Sequence, residues 1–266
     1  MSRFTIGNYY PGTSLIHRLD PRLKLIISVI MMVVIFLLQS WWQILLYALF
    51  LFVCQALSGL PGKLLLRSMR PVMWIAIFAF IINLFSVPGT EVFTLGPLTL
   101  TQEGFFTGLR MVSRLVLLIV TSTLFLTLTT TPLLLADSLE SLLNPLKRLK
   151  VPVHDLAMMM SIALRFVPTL ATEADKIMKA QSSRGANYDS GKLLDRLKGI
   201  ISILVPLFVS AIGRAEDLAL AMEARCYRGG EGRTKLHELH YSRVDGYFAL
   251  AFVLMLGGLL VIGVLT

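Results

Sequence analysis

The chain has 266 residues, of which 55% are apolar and 15% charged, with a mean hydropathy of +0.73. A soluble globular domain is about 25% charged, so these proportions exclude an ordinary soluble domain; they also exclude disorder, which needs low hydrophobicity. The net charge of +9 comes from 25 Lys and Arg against 16 Asp and Glu; in a membrane chain such an excess reflects basic cytoplasmic loops, and no nucleic acid partner is expected. Two cysteines, Cys54 and Cys226, cannot build a disulfide framework and are expected as free thiols.

A membrane-spanning helix needs about 20 mostly apolar residues. The first candidate runs from Leu23 to Leu38, entered through Asp20-Pro21, an N-cap followed by Pro at the first helical position. The second runs from Trp41 to Ser58 after the two-residue link Gln39-Ser40, which forces a helical hairpin. The third, Val72 to Val87, follows Pro71, and the fourth runs from Glu103 to Thr130. The last runs from Gly246 to Thr266. The spacing therefore predicts an all-α integral membrane protein with about five transmembrane helices. Four lie in residues 1–130, a long segment of amphipathic helices fills 131–245, and one helix lies at 246–266.

Lys and Arg set the orientation, because basic loops stay cytoplasmic. The N-terminal stretch carries Arg3, Arg18, Arg22 and Lys24, and the second link carries Lys63, Arg67 and Arg70. The link from Pro88 to Thr101 has Glu91 and neither Lys nor Arg. Residues Thr131 to Asp245 hold 16 of the 25 basic residues. The N-terminus, the second link and the long segment are thus expected on the cytoplasmic side, and the third link outside.

Span four carries Arg110 and Arg114 on one helix face at i, i+4. At the bilayer centre each costs about 2.5–3.5 kcal/mol, whereas each large apolar residue between Leu115 and Leu128 returns only about 0.3–0.6. Two central arginines would cancel that gain, so they must lie near an end, snorkel or face protein. They are candidates for contact with another subunit or for a substrate path, against the plainer reading of an interfacial anchor.

The long basic segment has helical periodicity. Pro132 to Leu149 reads as one amphipathic helix, Val153 to about Arg184 as a second and Leu193 to about Arg225 as a third. The last two are roughly 48 Å long at 1.5 Å per residue. Their apolar stretches, Leu156 to Leu164 and Ile200 to Ile212, are too short to cross a bilayer. They read as helices lying along the inner membrane surface. Met158, Met159 and Met160 give the first a flexible, polarisable surface suited to a partner that slides, or else ordinary packing.

The two long helices end alike. One closes on Ala180-Gln181-Ser182-Ser183-Arg184-Gly185 and the other on Ala221-Met222-Glu223-Ala224-Arg225-Cys226. Each presents one Arg between small neighbours, followed by Tyr188 and Gly191, or by Tyr227, Gly229 and Gly230. A lone Arg at a helix C-terminus gains about 0.3–1 kcal/mol from the dipole. A repeated one points instead to recognition, since Arg offers five fixed donors for carboxylates or carbonyls in a groove.

At these residues the chain resembles the transmembrane subunit of energy-coupling factor transporters, the EcfT/CbiQ family. The likeness is carried by Leu15-Ile16-His17-Arg18-Leu19-Asp20-Pro21-Arg22-Leu23-Lys24-Leu25, by Thr130-Thr131-Pro132 and by the two Ala-Arg-Gly-like ends. The resemblance implies that Ser183-Arg184-Gly185 and Ala224-Arg225-Cys226 dock into two cytoplasmic ATPase subunits of the EcfA type. It also implies a substrate-binding membrane partner, the S-component, moved by the coupling helices to release a vitamin or metal inside. Ser183 stands where Ala is common in the family and Cys226 where Gly is common; both are small. The adaptable Met surface favours a subunit shared among several S-components.

The chain shows no phosphate-cradling G-x-x-x-x-G-K-[ST] loop; Gly229 to Thr234 has other spacing and Arg for Lys. A non-catalytic subunit is therefore expected, binding no cofactor itself, with ATP and Mg held by its partners. His237-Glu238-Leu239-His240 is one residue short of a zinc motif, and His17 and His154 have no companion ligands in sequence. The alternatives are a secondary transporter or a membrane scaffold acting without ATPases. The first would show repeated membrane halves and the second leaves the paired arginines unexplained.

Overall fold

The computed structural model describes residues 10, 12, 14–95, 98–149, 152–185, 193–229 and 240–265. These fall into two compact units, one drawn from Gly7–Ser138 and His237–Thr266, the other from Leu139–Leu236.

The first unit is a bundle of α1 (Leu15–Arg18), α2 (Pro21–Leu37), α3 (Trp41–Ser58), α4 (Gly62–Ser86), α5 (Gln102–Ser122) and α9 (Arg243–Leu265). Asp20 caps α2 by accepting the Arg22 backbone N–H (2.8 Å), with Pro21 at the first helical position, as the sequence predicts. The short Gln39-Ser40 link does fold α3 back on α2. Gln43 closes it: its Oε1 accepts the backbone N–H groups of Gln39 (2.8 Å) and Ser40 (3.0 Å), and its Nε2 donates to the Leu259 carbonyl of α9 (3.1 Å).

Two features depart from the expected spans. The basic residues Lys63, Arg67 and Arg70 lie within the first turns of α4 rather than in a loop; the link before it is only Gly59–Pro61, and Pro71 is inside the helix. At 25 residues α4 is about 37 Å long, longer than a hydrocarbon core of about 30 Å, so its basic first turns can stay in the headgroup layer. The link after α4 forms an antiparallel hairpin of β1 (Glu91–Leu95) and β2 (Leu98–Thr101).

The core of this unit is built from α2, α3, α5 with the turns that follow it, and α9, with Met31, Ile35, Tyr47, Leu124 and Phe125 fully buried. Tyr47 places its hydroxyl between the Met31 carbonyl (3.3 Å) and Thr121 Oγ1 (2.9 Å). A buried phenol needs such partners. The outer faces are apolar and open, as at Phe52, Trp74, Phe78 and Val264, which is the inverse of a soluble surface and suits lipid.

Below α5 the chain winds into a π-helical segment, Thr123–Leu128. Its altered register leaves the Phe125 carbonyl to accept two hydroxyls, Thr129 Oγ1 and Thr130 Oγ1, each at 2.9 Å. Helix α6 (Pro132–Leu143) starts beyond it, capped by Thr131 Oγ1, which accepts the Leu134 backbone N–H (3.4 Å). The expected helix from Pro132 to Leu149 is divided: α6 ends at Leu143 and a 3-10 turn, Asn144–Leu149, follows.

The second unit holds α7 (Val153–Ser183) and α8 (Leu193–Ala224). Six helices, α3, α4, α5 with its π extension, α7, α8 and α9, are long and apolar enough to cross a membrane by length and composition. Against the five expected, α7 and α8 enter that set because their apolar middles dominate their length. Helix α2, at 17 residues, stays out of it. The chain is an all-α integral membrane protein in architecture, with the small hairpin as its strand content among the described residues.

Candidate functional site

Helices α7 and α8 form an antiparallel pair. Near the end of α7, Gln181 Nε2 donates to the Ser202 carbonyl (3.2 Å). Two turns earlier the Glu173 carboxylate accepts from the Ser210 hydroxyl and from Arg214 through Nε (3.1 Å) and Nη2 (2.7 Å). At the other end Tyr227, just past α8, brings its hydroxyl to 3.5 Å from His154 Nε2 on the first turn of α7. His154 Nδ1 in turn meets Glu140 Oε1 at 3.1 Å. His154, companionless in sequence, thus joins the start of α7 to the end of α8.

This pairing carries Arg184 and Arg225 to opposite ends of the unit, separated by roughly 45 Å at 1.5 Å per residue. Both occupy the residue that closes a helix, and both are exposed. The residue after each is left-handed: Gly185 has φ +84° and Cys226 φ +55°. At α8 the termination is a complete Schellman motif, in which the Cys226 N–H donates to the Glu223 carbonyl (2.8 Å) and the Tyr227 N–H to the Met222 carbonyl (3.0 Å). At α7 the equivalent first bond runs from the Gly185 N–H to the Ser182 carbonyl (2.9 Å). Ser183 and Ala224, the last helical residues, precede each Arg. The repeat read in sequence is therefore a repeat of backbone geometry: an arginine on a sharply stopped helix, beside a residue with little or no side chain.

Left-handed backbone suits Gly and costs another L-residue about 1–2 kcal/mol. Cys226 is the one non-glycine with positive φ among the described residues. The smallness of that position thus has a backbone reason as well as a steric one, which sequence alone did not supply.

Met158 is half-buried, while Met159 and Met160 are exposed on α7 beside Leu156. On α8 Ile201, Leu204, Val205, Phe208 and Val209 are exposed. Both helices therefore present broad apolar faces, more than a chain working alone in water would leave open.

Arg110 and Arg114 lie in the first unit and play different parts. Arg114 donates through Nη2 to the Leu38 carbonyl, capping the C-terminal end of α2, where carbonyls lack helical partners and the dipole favours a cation. Arg110 places its guanidinium 5.8 Å from the Trp41 ring centre. Of the phosphate-loop look-alike, Gly229 is described, with φ +86°; Gly230 to Thr234, His237 to Leu239, Tyr188 and Gly191 lie outside the described residues.

The sequence reading missed two contacts that organise the first unit. Lys24 is 1% exposed and donates through Nζ to the carbonyls of His17 (3.2 Å) and Thr129 (3.1 Å). The Asp20 backbone N–H donates to Asp245 Oδ1 (2.8 Å). Hence the N-terminal motif, the threonines before α6 and the start of α9 meet at one buried cluster. Gly104 and Gly108 form the second contact, set against the backbone of α4.

A family model described as cobalt transport protein, CbiQ, matches residues 12–236. The chain belongs to the EcfT/CbiQ family. It is 53% identical over 241 residues to the energy-coupling factor transporter transmembrane protein EcfT of Ruminiclostridium cellulolyticum, covering 91% of this chain and 90% of that protein. It is 46% identical over 256 residues to EcfT of Bacillus subtilis, covering 96% of each. With EcfT 1 of Listeria monocytogenes it shares 41% over 263 residues, covering 98% of each. These matches run through both units, so membership in the EcfT/CbiQ family rests on the membrane bundle and the paired helices together.

Proposed function

We propose that this chain is the energy-coupling membrane subunit of an ATP-driven micronutrient importer. It would be a multi-pass protein of a prokaryotic plasma membrane, with its N-terminus and residues 131–245 on the cytoplasmic side. Two cytoplasmic ATPases of the EcfA type would bind the ATP and Mg, and this chain would bind no cofactor and catalyse no reaction itself. The observation that carries the reading is the matched termination of α7 and α8. Each ends in an exposed arginine followed by a left-handed small residue, and the pairing of the helices sets the two ends far apart.

Each arginine suits a groove lined by carboxylates or carbonyls, where a charge-assisted hydrogen bond contributes about 1.5–3 kcal/mol. Two ATPases closing on ATP would drive the two ends and so move the α7–α8 pair. The exposed apolar faces, including Met158, Met159 and Met160, supply a surface for a substrate-binding S-component. A vitamin or a metal ion would then be cargo of that partner.

Purification of the tagged chain with its partners tests this directly. Arg184→Ala and Arg225→Ala should each reduce ATPase recovery or separate ATP hydrolysis from uptake, and the double variant should lose uptake. Normal uptake by the double variant would refute the docking assignment. A chain that purifies alone and moves solute would establish a secondary transporter instead.

A further inference from the structure

We propose that the membrane bundle holds one anionic phospholipid in a cavity beside Arg110. The cavity has a volume of ≈ 1000 Å³ and lies where α2 ends, α3 begins and α9 ends. That is within the size range of sites for bound small molecules, about 300–1,000 Å³. Its walls divide by chemistry. Leu37, Leu260 and Val264 form a wide apolar side open to the bundle's exterior, and Trp41, Gln43 and Arg110 form the polar head.

The charge of the head selects the occupant. Among the described residues, no Asp or Glu lines the cavity. Arg110 Nε is buried with no hydrogen-bond partner among the described residues, an arrangement that is costly unless a ligand or water fills it. Trp41 holds the guanidinium by its ring face, which orients the planar fork. Arg114, one turn further along α5, spends Nη2 on the Leu38 carbonyl at the cavity's edge and adds a second positive charge. A guanidinium fork matches a phosphate bidentately, and the adjoining apolar wall matches acyl chains. A free phosphate would leave that wall bare, whereas a zwitterionic lipid would bring its own headgroup cation against Arg110 and Arg114.

The experiment uses the full chain reconstituted in phosphatidylcholine vesicles. A small fraction of the lipid is brominated, as phosphatidylglycerol in one series and as phosphatidylcholine in the other. Bromine quenches tryptophan on contact, and Trp41 is in the cavity wall. Brominated phosphatidylglycerol should quench more than brominated phosphatidylcholine at the same mole fraction, corresponding to about tenfold tighter binding, because the choline cation opposes the two arginines. Unlabelled phosphatidylglycerol should relieve the quenching, and inorganic phosphate should not. Arg110→Gln should abolish the preference, while Arg110→Lys should retain part of it. Equal quenching by the two lipids in the wild-type chain, a result that requires no variant to fold, would overturn the proposal. So would relief by inorganic phosphate, or an unchanged preference in Arg110→Gln. The site stands on the bundle alone and does not depend on how α7 and α8 dock.

Discussion

Glu173 of α7 is bound by Arg214 of α8 through two donors, Nε at 3.1 Å and Nη2 at 2.7 Å. The pair lies between the two helix ends and is reinforced by the Ser210 hydroxyl on the other carboxylate oxygen. It is partly open to solvent, with the arginine side chain 40% and the carboxylate side chain 23% exposed. Its contribution is therefore one of geometry more than of global stability. If the two ends must move as one body, the link matters most under load. Glu173→Ala and Arg214→Ala should each lower uptake per ATP hydrolysed, with little change in the melting temperature. The double variant should be no worse than the more affected single one, because both remove the same link. Uptake and ATPase rates measured together in proteoliposomes check this; additive losses would show that each residue has a separate partner.

Cys226 sits in a left-handed conformation that costs about 1–2 kcal/mol for an L-residue. Glycine would remove that strain but lose about 0.5–1 kcal/mol through the freedom of its unfolded chain. Cys226→Gly should thus stabilise the end of α8 by about 0.5 kcal/mol, whereas Cys226→Val, branched at Cβ, should fray it. The reverse change, Gly185→Ala, should weaken the end of α7 by about 0.5 kcal/mol, although open space surrounds it. Amide exchange at the last turns of α7 and α8 is the measurement. The order of protection should be Gly above Cys above Val at 226.

Gly104 and Gly108 present a bare face of α5 to α4. A Cβ at Gly104 would lie 2.8 Å from the Asn83 carbonyl oxygen and 3.0 Å from that of Leu84, and one at Gly108 would lie 2.9 Å from the Phe80 ring. A backbone carbonyl cannot swing aside as a ring can. Gly104→Ala should therefore cost more than Gly108→Ala, within the range of about 1–3 kcal/mol typical of overpacking. Thermal unfolding in detergent reads the difference, and equal costs would mean that α4 and α5 part as rigid bodies. The same small-residue contact is a known device for close helix packing in bilayers.

Much of this was legible in the sequence because it rests on period and charge. The apolar runs gave α2, α3, α5 and α9, and the two arginine ends gave the stops of α7 and α8 to within a residue. What was not legible depends on neighbours distant in the chain. Lys63, Arg67 and Arg70 looked like a loop because charge marks a membrane boundary and not a helix boundary; α4 runs straight through them. Gly104-Phe105-Phe106-Thr107-Gly108 does carry a sequence signal, small residues four apart in a span, but only the carbonyls of Asn83 and Leu84 show which helix it meets. The π turn at Thr123–Leu128 has no period of its own. Its consequence, a Phe125 carbonyl shared by Thr129 and Thr130, could not be read from spacing.

Lys24 and Asp245 close the bundle at the end away from Arg110. Lys24 Nζ has two backbone carbonyl acceptors, and Asp245 accepts from the Asp20 and Ser242 backbone N–H groups and from the Ser242 hydroxyl. Both residues are buried, as is Asp20, so the lysine offsets part of the charge of the two carboxylates. Lys24→Met would leave two carbonyls unpaired and two buried carboxylates uncompensated, a loss of about 3–5 kcal/mol. Asp245→Asn keeps the acceptor for Asp20 and gives up only part of the Ser242 contact, a loss of about 1–2 kcal/mol. Cys54 provides the readout. It is buried in the core, so a thiol-reactive dye in a Cys226→Ser background reports unfolding of this unit. The melting temperature should fall further in Lys24→Met than in Asp245→Asn. The opposite order would show that the hydrogen bonds of Asp245, and not the charge of Lys24, hold the N-terminal motif against α9.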